Sequence, residues 1–182
     1  MPVTIITTPS GETSNSYATL AEAISFLSEL LYTDAFLAED EETQKRALVL
    51  MCQRLSEERY KGVRTVRAQR LPWPRFGVSD IDGYSDGDYG LYNDELASTT
   101  VPRAIKEAQM LGAAQLIETN FLAENFSTAD YEKVELPGGL KVTYKDGASG
   151  GASTAAPGAL PADVRRLIAP YLLEATGELL RA

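Results

Sequence analysis

The sequence contains no histidine and only one cysteine, Cys52. Histidine is the commonest general base, the commonest metal ligand and the usual partner of a serine or cysteine nucleophile. Its absence argues against an enzyme, and we predict no catalytic residue, no metal and no cofactor. A single cysteine excludes a disulfide framework within the chain and is typical of a protein made in a reducing compartment.

Long apolar runs and an excess of positive charge are also missing. No stretch approaches the ~18 apolar residues that a membrane helix needs, and residues 1–14 lack the basic start and apolar core of a secretion signal. The formal net charge is −9 at pH 7. Because proteins that wrap duplex DNA need clustered lysines and arginines, this charge argues against that class. We expect a soluble protein made in a cytoplasm.

Apolar residues do recur at helical spacing, and they predict the main helices. Thr19 and Glu22 have the spacing of a capping box, which predicts a helix start. The acidic residues at 39–42 suit the positive end of a second helix, and Pro102 suits the first turn of a third. The predicted buried faces are Leu20, Ala23, Ile24, Leu27, Leu30 and Leu31; Leu48, Met51, Cys52 and Leu55; and Ile105, Ala108, Leu111, Gly112 and Leu116.

The last third of the chain has different patterns. Alternating apolar and polar residues at 131–145 predict a β-hairpin in which Glu135 and Lys141 lie near each other. A short helix is predicted from Pro161 through Ile168. The expected fold is therefore mainly α: a small helical bundle with a long inter-helix loop, a β-hairpin and an extended C-terminal arm ending in a short helix.

This pattern also predicts a domain organisation. Residues 1–145 would form a helical domain that includes the hairpin. Residues 146–160, rich in glycine, alanine and serine, would form a flexible linker. Residues 161–182 would form a C-terminal docking segment. An apolar segment on a tether either folds back onto its own core or docks on another chain, and the sequence favours neither alternative.

In and around the predicted loop at 62–100, the basic residues come first and the acidic residues follow. Residues 60–79 contain five basic residues and no acid, and residues 80–95 contain six acids and no base. The rigid element Leu71-Pro72-Trp73-Pro74-Arg75 lies in the basic part and holds the only tryptophan. The basic residues are Lys61, Arg64, Arg67, Arg70 and Arg75, and the acids are Asp80, Asp82, Asp86, Asp88, Asp94 and Glu95.

Each of these features has an alternative interpretation. The aspartates supply the oxygen ligands that Ca²⁺ prefers, but no frame fits an EF-hand loop, so a solvated acidic loop is favoured over a metal site. The arginines suit nucleic acid, but pairing with the acidic stretch or with a neighbouring subunit is favoured. Packing of Trp73 against the molecule's own helices is favoured over a role as an intersubunit anchor.

The order of several motifs resembles a known family over nearly the whole chain. The family consists of tailed-bacteriophage proteins often labelled DnaT-like single-stranded DNA-binding proteins, which in turn resemble head–tail connector adaptors. The motifs are Ser16-Tyr17-Ala18-Thr19 with Glu22-Ala23; Leu71-Pro72-Trp73-Pro74-Arg75-x-Gly77; Asp80-x-Asp82-Gly83; Val101-Pro102-x-Ala104-Ile105-x-x-Ala108; Gly139-Leu140-Lys141-Val142; and Leu167-Ile168-Ala169-Pro170-Tyr171-Leu172.

The resemblance implies a structural adaptor of the phage neck. Such a protein forms a ring, expected to be dodecameric, below the portal; it extends the DNA channel and carries a stopper or tail-completion protein. Packaged duplex DNA would pass through the lumen without sequence-specific binding, and no membrane is involved. The alternative is a single-stranded DNA-binding module. The predicted intersubunit or portal contacts are Arg64, Arg67, Arg70, Trp73, Arg75, Asp80, Asp82, Asp86, Asp88, Leu167, Ile168, Tyr171 and Leu172.

Overall fold

The computed structural model describes residues 2–79, 96–119, 133–135, 141–143 and 159–173. Contacts divide the chain into a helical unit, residues 1–120 and 160–182, and a smaller unit, residues 121–159. The described elements confirm a mainly helical fold with a small antiparallel hairpin. No helix within the described ranges is long and apolar enough to cross a membrane. The predicted linker falls almost wholly outside these ranges, and the predicted domain boundaries stay a prediction.

The first helix, α1, spans Leu20–Ser28 and begins with the predicted capping box. The Glu22 amide donates to Thr19 Oγ1 at 3.2 Å, and the Thr19 amide donates to Glu22 Oε2 at 2.7 Å. Ala23 and Leu27 are fully buried. Beyond the helix, the Thr33 hydroxyl donates to the Leu27 carbonyl at 2.7 Å, so the chain turns away where the apolar stripe would continue.

The prediction was therefore wrong for one part of that stripe. Ile24, Leu30 and Leu31 are exposed, although each was expected on the buried face. Helical spacing predicts which side of a helix is apolar but does not fix where the helix ends. Because α1 ends at Ser28, the last two of these residues are not helical at all.

Two helices follow α1, and the second of them is the helix that the acidic residues at 39–42 predicted. A short helix, α2, spans Asp34–Ala38, and α3 spans Glu41–Ser56. Asp40 caps α3, because its carboxylate accepts from the Thr43 amide at 2.7 Å. The predicted stripe of Leu48, Met51, Cys52 and Leu55 is fully buried.

The longest helix, α4, spans Arg103–Thr119 and packs against α1, α2 and α3. Small residues let it approach α3 closely. A Cβ atom added at Gly112 would lie 2.6 Å from Met51 Sδ, so only glycine fits at this contact without a shift. The remaining predicted inward residues of α4 are buried except Leu111, which is half-buried.

The long loop contains a two-stranded ribbon that the sequence did not predict. Strands β1, Val63–Arg64, and β2, Arg75–Phe76, pair antiparallel, with Val63 opposite Phe76. The buried side chain of Gln69 fixes the turn between them. Its amide nitrogen donates to the carbonyls of Leu71 at 2.8 Å and Pro74 at 3.0 Å, and its oxygen accepts from the Val66 amide at 3.0 Å.

The smaller unit contains the predicted hairpin. Strands β3, Lys133–Glu135, and β4, Lys141–Thr143, pair antiparallel. Glu135 stands opposite Lys141 in the register, as predicted. The turn between the strands lies outside the described residues.

The C-terminal segment folds back onto the helical unit. Helix α5, Ala162–Ile168, packs on α4 and leads into a 3₁₀ turn, Ala169–Tyr171. Backbone hydrogen bonds of 2.9 Å then join the Lys61 amide to the Tyr171 carbonyl and the Leu173 amide to the Arg59 carbonyl. The sequence left open whether this segment packs on its own core or docks on another chain. In the structure it packs on its own core.

Candidate assembly surfaces

The most exposed part of the helical unit is the ribbon and its turn. We call residues 61–70 with Arg75 and Phe76 the basic ribbon. Every residue from 61 to 68 is exposed. The paired residues Val63 and Phe76 are 62% and 57% exposed, and Val66, three residues after Val63, is 43% exposed. Branched aliphatic and aromatic side chains thus share this surface with basic ones.

The positive charge of the basic ribbon has no described counter-charge. Arg64, Arg67 and Arg70 are exposed, and no ion pair within the described ranges includes any of them. The cations of the described ion pairs are Lys45, Arg54, Arg103 and Lys106. The predicted partners Asp80, Asp82, Asp86 and Asp88 lie outside the described residues.

Arg75, predicted as an interface residue, instead holds the loop together. Its guanidinium donates to the carbonyls of Lys61 at 2.6 Å and Gly62 at 2.6 Å, and to those of Tyr60 and Pro72 at 3.2 Å each. Desolvation by burial, with the neighbouring charge of Arg64, lowers the pKa of Arg75 from its ordinary value. The N–H groups of Arg75 donate to main-chain carbonyls, so this side chain fixes the conformation of the ribbon. Contacts with other molecules would then be made by the neighbouring side chains.

Trp73 packs inside the molecule, which is the alternative that the sequence favoured. Its side chain is 1% exposed. The rings of Tyr60 and Tyr171 meet it edge-on, with centroids 5.6 Å and 5.4 Å away. Its indole Nε1 is buried and has no hydrogen-bond partner in the described structure. A buried donor without an acceptor costs free energy, so this atom needs an explanation.

The predicted C-terminal contacts lie mostly inside the helical unit. Ile168 and Tyr171 are buried, which removes them from the set of surface candidates. Leu167 and Leu172 are half-buried. Leu173, which was not among the predicted contacts, is a large apolar residue that is exposed in the described part of this segment.

The described residues that flank the acidic segment lie next to the basic ribbon in the sequence and are joined by a hydrogen bond. A hydrogen bond joins the two sides of residues 80–95: the Leu96 amide donates to the Val78 carbonyl at 2.8 Å. Val78 is buried two residues after β2. The described residues on either side of the acidic segment, Val78 and Leu96, are thus held together. Within the described ranges, no group of three or more acidic, cysteine or histidine side chains is placed to hold a metal ion.

A cleft of about 390 Å³ lies between the N-terminal segment, α1, α4 and the loops. We call it the threonine cleft, because five of its lining residues are threonines. Glu22 and Lys106 form a 3.3 Å ion pair there. The lining residues are Thr7, Thr8, Pro9, Ser16, Tyr17, Thr19, Glu22, Leu71, Trp73, Thr99, Thr100, Val101 and Lys106.

A second exposed apolar surface follows α1, at residues the sequence had assigned to the core or passed over. We call Leu30, Leu31 and Tyr32 the α1 tip. Leu31 and Tyr32 are 82% and 86% exposed. Tyr32 has a φ of 63°, a left-handed conformation that is uncommon for residues other than glycine. Strained backbone is concentrated at functional sites, so this turn is a candidate contact.

The comparisons with known proteins give one match. No curated protein and no solved structure matches the chain. The model of one family matches residues 1–181, nearly the entire sequence, and that family is described as "Putative DnaT-like ssDNA binding protein". The chain therefore belongs to this DnaT-like family.

Proposed function

We propose that this protein is a structural adaptor of a tailed phage. It forms a ring below the portal, extends the DNA channel and joins the head to a stopper or tail-completion protein. Its partners are other copies of itself in an expected dodecamer, the portal and the next neck protein. Packaged duplex DNA passes through the lumen without sequence-specific binding. The protein is made in the bacterial cytoplasm and resides in the virion neck, and its role requires no catalytic group.

The basic ribbon is the observation that carries this proposal. Val63, Val66 and Phe76 expose apolar surface beside arginines that have no described carboxylate partner. Contiguous apolar surface with a polar rim is typical of a protein interaction site. Aromatic residues and arginine are also the residue types enriched at interfaces.

Charge favours contacts between copies. The chain carries a net charge of −9, yet the basic ribbon is locally positive. The acidic segment 80–95 is fixed to the same unit at Val78 and Leu96. A surface that meets a different surface on the next copy is the contact from which closed rings are built. An acidic lumen would also keep DNA phosphates from adhering as DNA moves through it.

The direct test reverses the charge of the ribbon. Arg67→Glu with Arg70→Glu removes two exposed cations without removing a described side-chain hydrogen bond or ion pair. We expect loss of ring or portal assembly with unchanged helical content. The matched control is Arg46→Glu with Arg166→Glu, which makes the same change in net charge at exposed positions on α3 and α5. The control should assemble like the natural protein.

The dependence of assembly on ionic strength distinguishes the possible explanations. Assembly through exposed charge weakens as ionic strength rises. Assembly that is unchanged both by the ribbon substitutions and by raised salt would contradict a role for the ribbon. Loss of assembly in both the ribbon variant and the control would point to net charge alone.

Single-stranded DNA binding is the second candidate, and the family description favours it. The basic ribbon also has the parts that this activity needs, because it exposes the ring of Phe76 and the arginines Arg64 and Arg67. Aromatic side chains stack on bases, and arginines contact the backbone phosphates. The ribbon offers one exposed aromatic ring, whereas a platform for successive bases uses several.

The two candidate functions predict opposite results when the protein is titrated with single-stranded DNA. A DNA-binding module should bind a dT oligonucleotide with an affinity that falls steeply with salt, and Phe76→Ala should weaken it. The adaptor should show no such affinity at physiological salt while still binding portal protein.

A further inference from the structure

Two exposed apolar surfaces of the helical unit carry charges of opposite sign. In the sequence the α1 tip lies between Glu29 and Asp34, two exposed acids that take part in no ion pair of the described ranges. The basic ribbon exposes Val63, Val66 and Phe76 among its cations. We propose that the α1 tip of one copy packs on the basic ribbon of the next copy. This inference rests on the proposed function and deepens it, because it names the surface that the ribbon meets.

The difference in charge between the two parts of the chain is large. Residues 1–44 contain eight acids and no lysine or arginine, whereas residues 60–79 contain five basic residues and no acid. Complementary charge brings two surfaces together in one orientation and disfavours wrong pairs. Contact of tip with tip, or of ribbon with ribbon, would bring like charges together. Contact of a tip with a ribbon is the pairing of these surfaces that charge favours.

Apolar side chains at both surfaces supply the rest of the contact. Leu31 and Tyr32 project from the tip, and Val63 and Phe76 project from the ribbon. Burial of this apolar area against a second copy is favourable. Tyrosine and arginine are also enriched among the residues that contribute most to binding, and an arginine can stack on the face of a tyrosine ring.

A single copy holds the two surfaces apart. Just after the tip, the Phe36 carbonyl of α2 accepts from the Gln44 side chain at the start of α3, at 2.8 Å. Just before the ribbon, the Tyr60 hydroxyl donates to the Leu55 carbonyl at the end of α3, also at 2.8 Å. An α-helix rises by about 1.5 Å per residue, so roughly 17 Å of α3 separates Gln44 from Leu55. Each copy therefore offers its tip to one neighbour and its ribbon to another, which is the heterologous contact that builds rings.

The fold fixes the conformation of both surfaces. The buried Thr33 hydroxyl donates to the carbonyls of Leu27 at 2.7 Å and Leu30 at 3.3 Å, and these bonds hold the turn that exposes the tip. The hydrogen bonds of Gln69 and Arg75 hold the ribbon. Binding between preformed surfaces loses less conformational entropy than binding that must order them first.

The acids next to the tip disfavour other classes of partner. A nucleic acid or an anionic membrane surface would bring phosphates towards Glu29 and Asp34, and like charges repel. The tip therefore needs a partner that combines positive charge with exposed apolar side chains. The basic ribbon of a second copy has both.

Charge reversal followed by rescue tests the contact in the full-length chain. Glu29→Arg with Asp34→Arg reverses the tip, and Arg67→Glu with Arg70→Glu reverses the ribbon. Each pair alone should raise the protein concentration at which rings form by about tenfold or more, because like charges then face each other. A chain with all four substitutions keeps the natural net charge and exchanges the two signs, so it should assemble within about threefold of the natural concentration.

The matched control combines the reversed tip with Arg46→Glu and Arg166→Glu. It has the same net charge and the same number of substitutions as the chain with all four reversals, but its ribbon stays basic. The control should assemble as poorly as the tip reversal alone, and circular dichroism checks that each chain is folded. Equal rescue in the control, or no rescue in a folded chain with all four reversals, would overturn the proposal.

Cross-linking tests the same contact without any change of charge. Tyr32→Cys and Val63→Cys lie at exposed positions, and the natural thiol of Cys52 is fully buried. A short bismaleimide reagent should join a mixture of the two variants at a rate about tenfold or more above the control, because contact raises the effective concentration of the two thiols. The control mixes Leu50→Cys, an exposed position on α3, with Val63→Cys. A rate equal to that control would count against the contact.

The outcomes distinguish this inference from the proposed function. If the ribbon reversal abolishes assembly on the portal but rescue and cross-linking both fail, the ribbon meets another surface, such as the portal or residues 80–95. The contact is then wrong while the adaptor role stands. If rescue and cross-linking succeed but no complex with portal protein forms, the contact between copies stands and the adaptor role fails.

Discussion

The indole ring of Trp73 meets the ring of Tyr171 edge-on, with centroids 5.4 Å apart and planes at 84°. This contact joins the loop after α3 to the C-terminal segment. Such aromatic pairs contribute about 0.5–1.5 kcal/mol beyond the area they bury. The C-terminal segment is therefore part of the core of the helical unit, and removing it would damage the fold along with any interface.

The first prediction concerns Ile168, which is fully buried at the end of α5. Ile168→Ala should lower the free energy of unfolding by about 2–5 kcal/mol, because it removes buried methyl groups and leaves a cavity. Urea denaturation followed by circular dichroism measures this change. The matched control is Leu173→Ala at an exposed position, which should change stability by no more than about 0.5 kcal/mol. Equal effects of the two substitutions would show that the segment does not pack as described.

The second prediction concerns Gln109, a fully buried polar residue of α4. Its oxygen accepts from the Tyr17 amide at 2.9 Å, and its nitrogen donates to Ser16 Oγ at 2.7 Å and the Leu48 carbonyl at 2.8 Å. Gln109→Leu leaves the Tyr17 amide buried without its described acceptor, at a cost of about 1–3 kcal/mol, whereas Ser16 Oγ keeps its hydrogen bond to the Ala18 carbonyl. Gln53→Leu on the exposed face of α3 is the control. A Gln109→Leu protein as stable as this control would refute the role of the network.

The third prediction concerns the reactivity of Cys52. Burial raises the pKa of its thiol to about 12, so almost no thiolate exists at neutral pH, and the thiolate is the reactive form. A disulfide reagent should label Cys52 only after unfolding in urea, whereas the cysteine in the Thr100→Cys variant should react at once. Rapid labelling of Cys52 in the folded natural protein would contradict the packing of α3.

The fourth prediction concerns pH. The Thr19 amide lowers the pKa of Glu22 below its ordinary value. The ionised carboxylate therefore adds stability above the ordinary carboxyl pKa, and this contribution is lost as pH falls through the lowered pKa. Glu22→Gln should cost about 0.3–1 kcal/mol at pH 7, and the difference between variant and natural protein should vanish in strong acid. A difference that is independent of pH would contradict the capping role.

The sequence predicted those elements whose signals are local. The capping box at Thr19 and the apolar stripe through Leu48 and Leu55 predicted α1 and α3, because side-chain spacing directly determines which face is buried. The register of Glu135 with Lys141 followed from alternation about a glycine turn. The fold class was predicted from these parts.

Features that depend on distant contacts were not predicted. The bond from the Thr33 hydroxyl to the Leu27 carbonyl, although local, depends on a turn that apolar spacing does not reveal, and Leu31 is exposed there. Arg75 was taken for an interface residue because its main-chain acceptors are invisible in a sequence. Gln109 was not singled out, since its partners are brought to α4 by the fold. The edge-on contact between the rings of Tyr171 and Trp73 likewise joins residues that are far apart in the sequence.

The central claim is that the protein is a ring-forming adaptor, and the mass of its complex with portal protein tests it most directly. Purified chain is mixed with purified portal protein at physiological salt and measured by native mass spectrometry, with a parallel dT oligonucleotide titration. We predict a closed ring of many copies on the portal and no salt-sensitive DNA affinity. A chain that stays monomeric beside the portal and binds the oligonucleotide tightly at low salt would contradict the account.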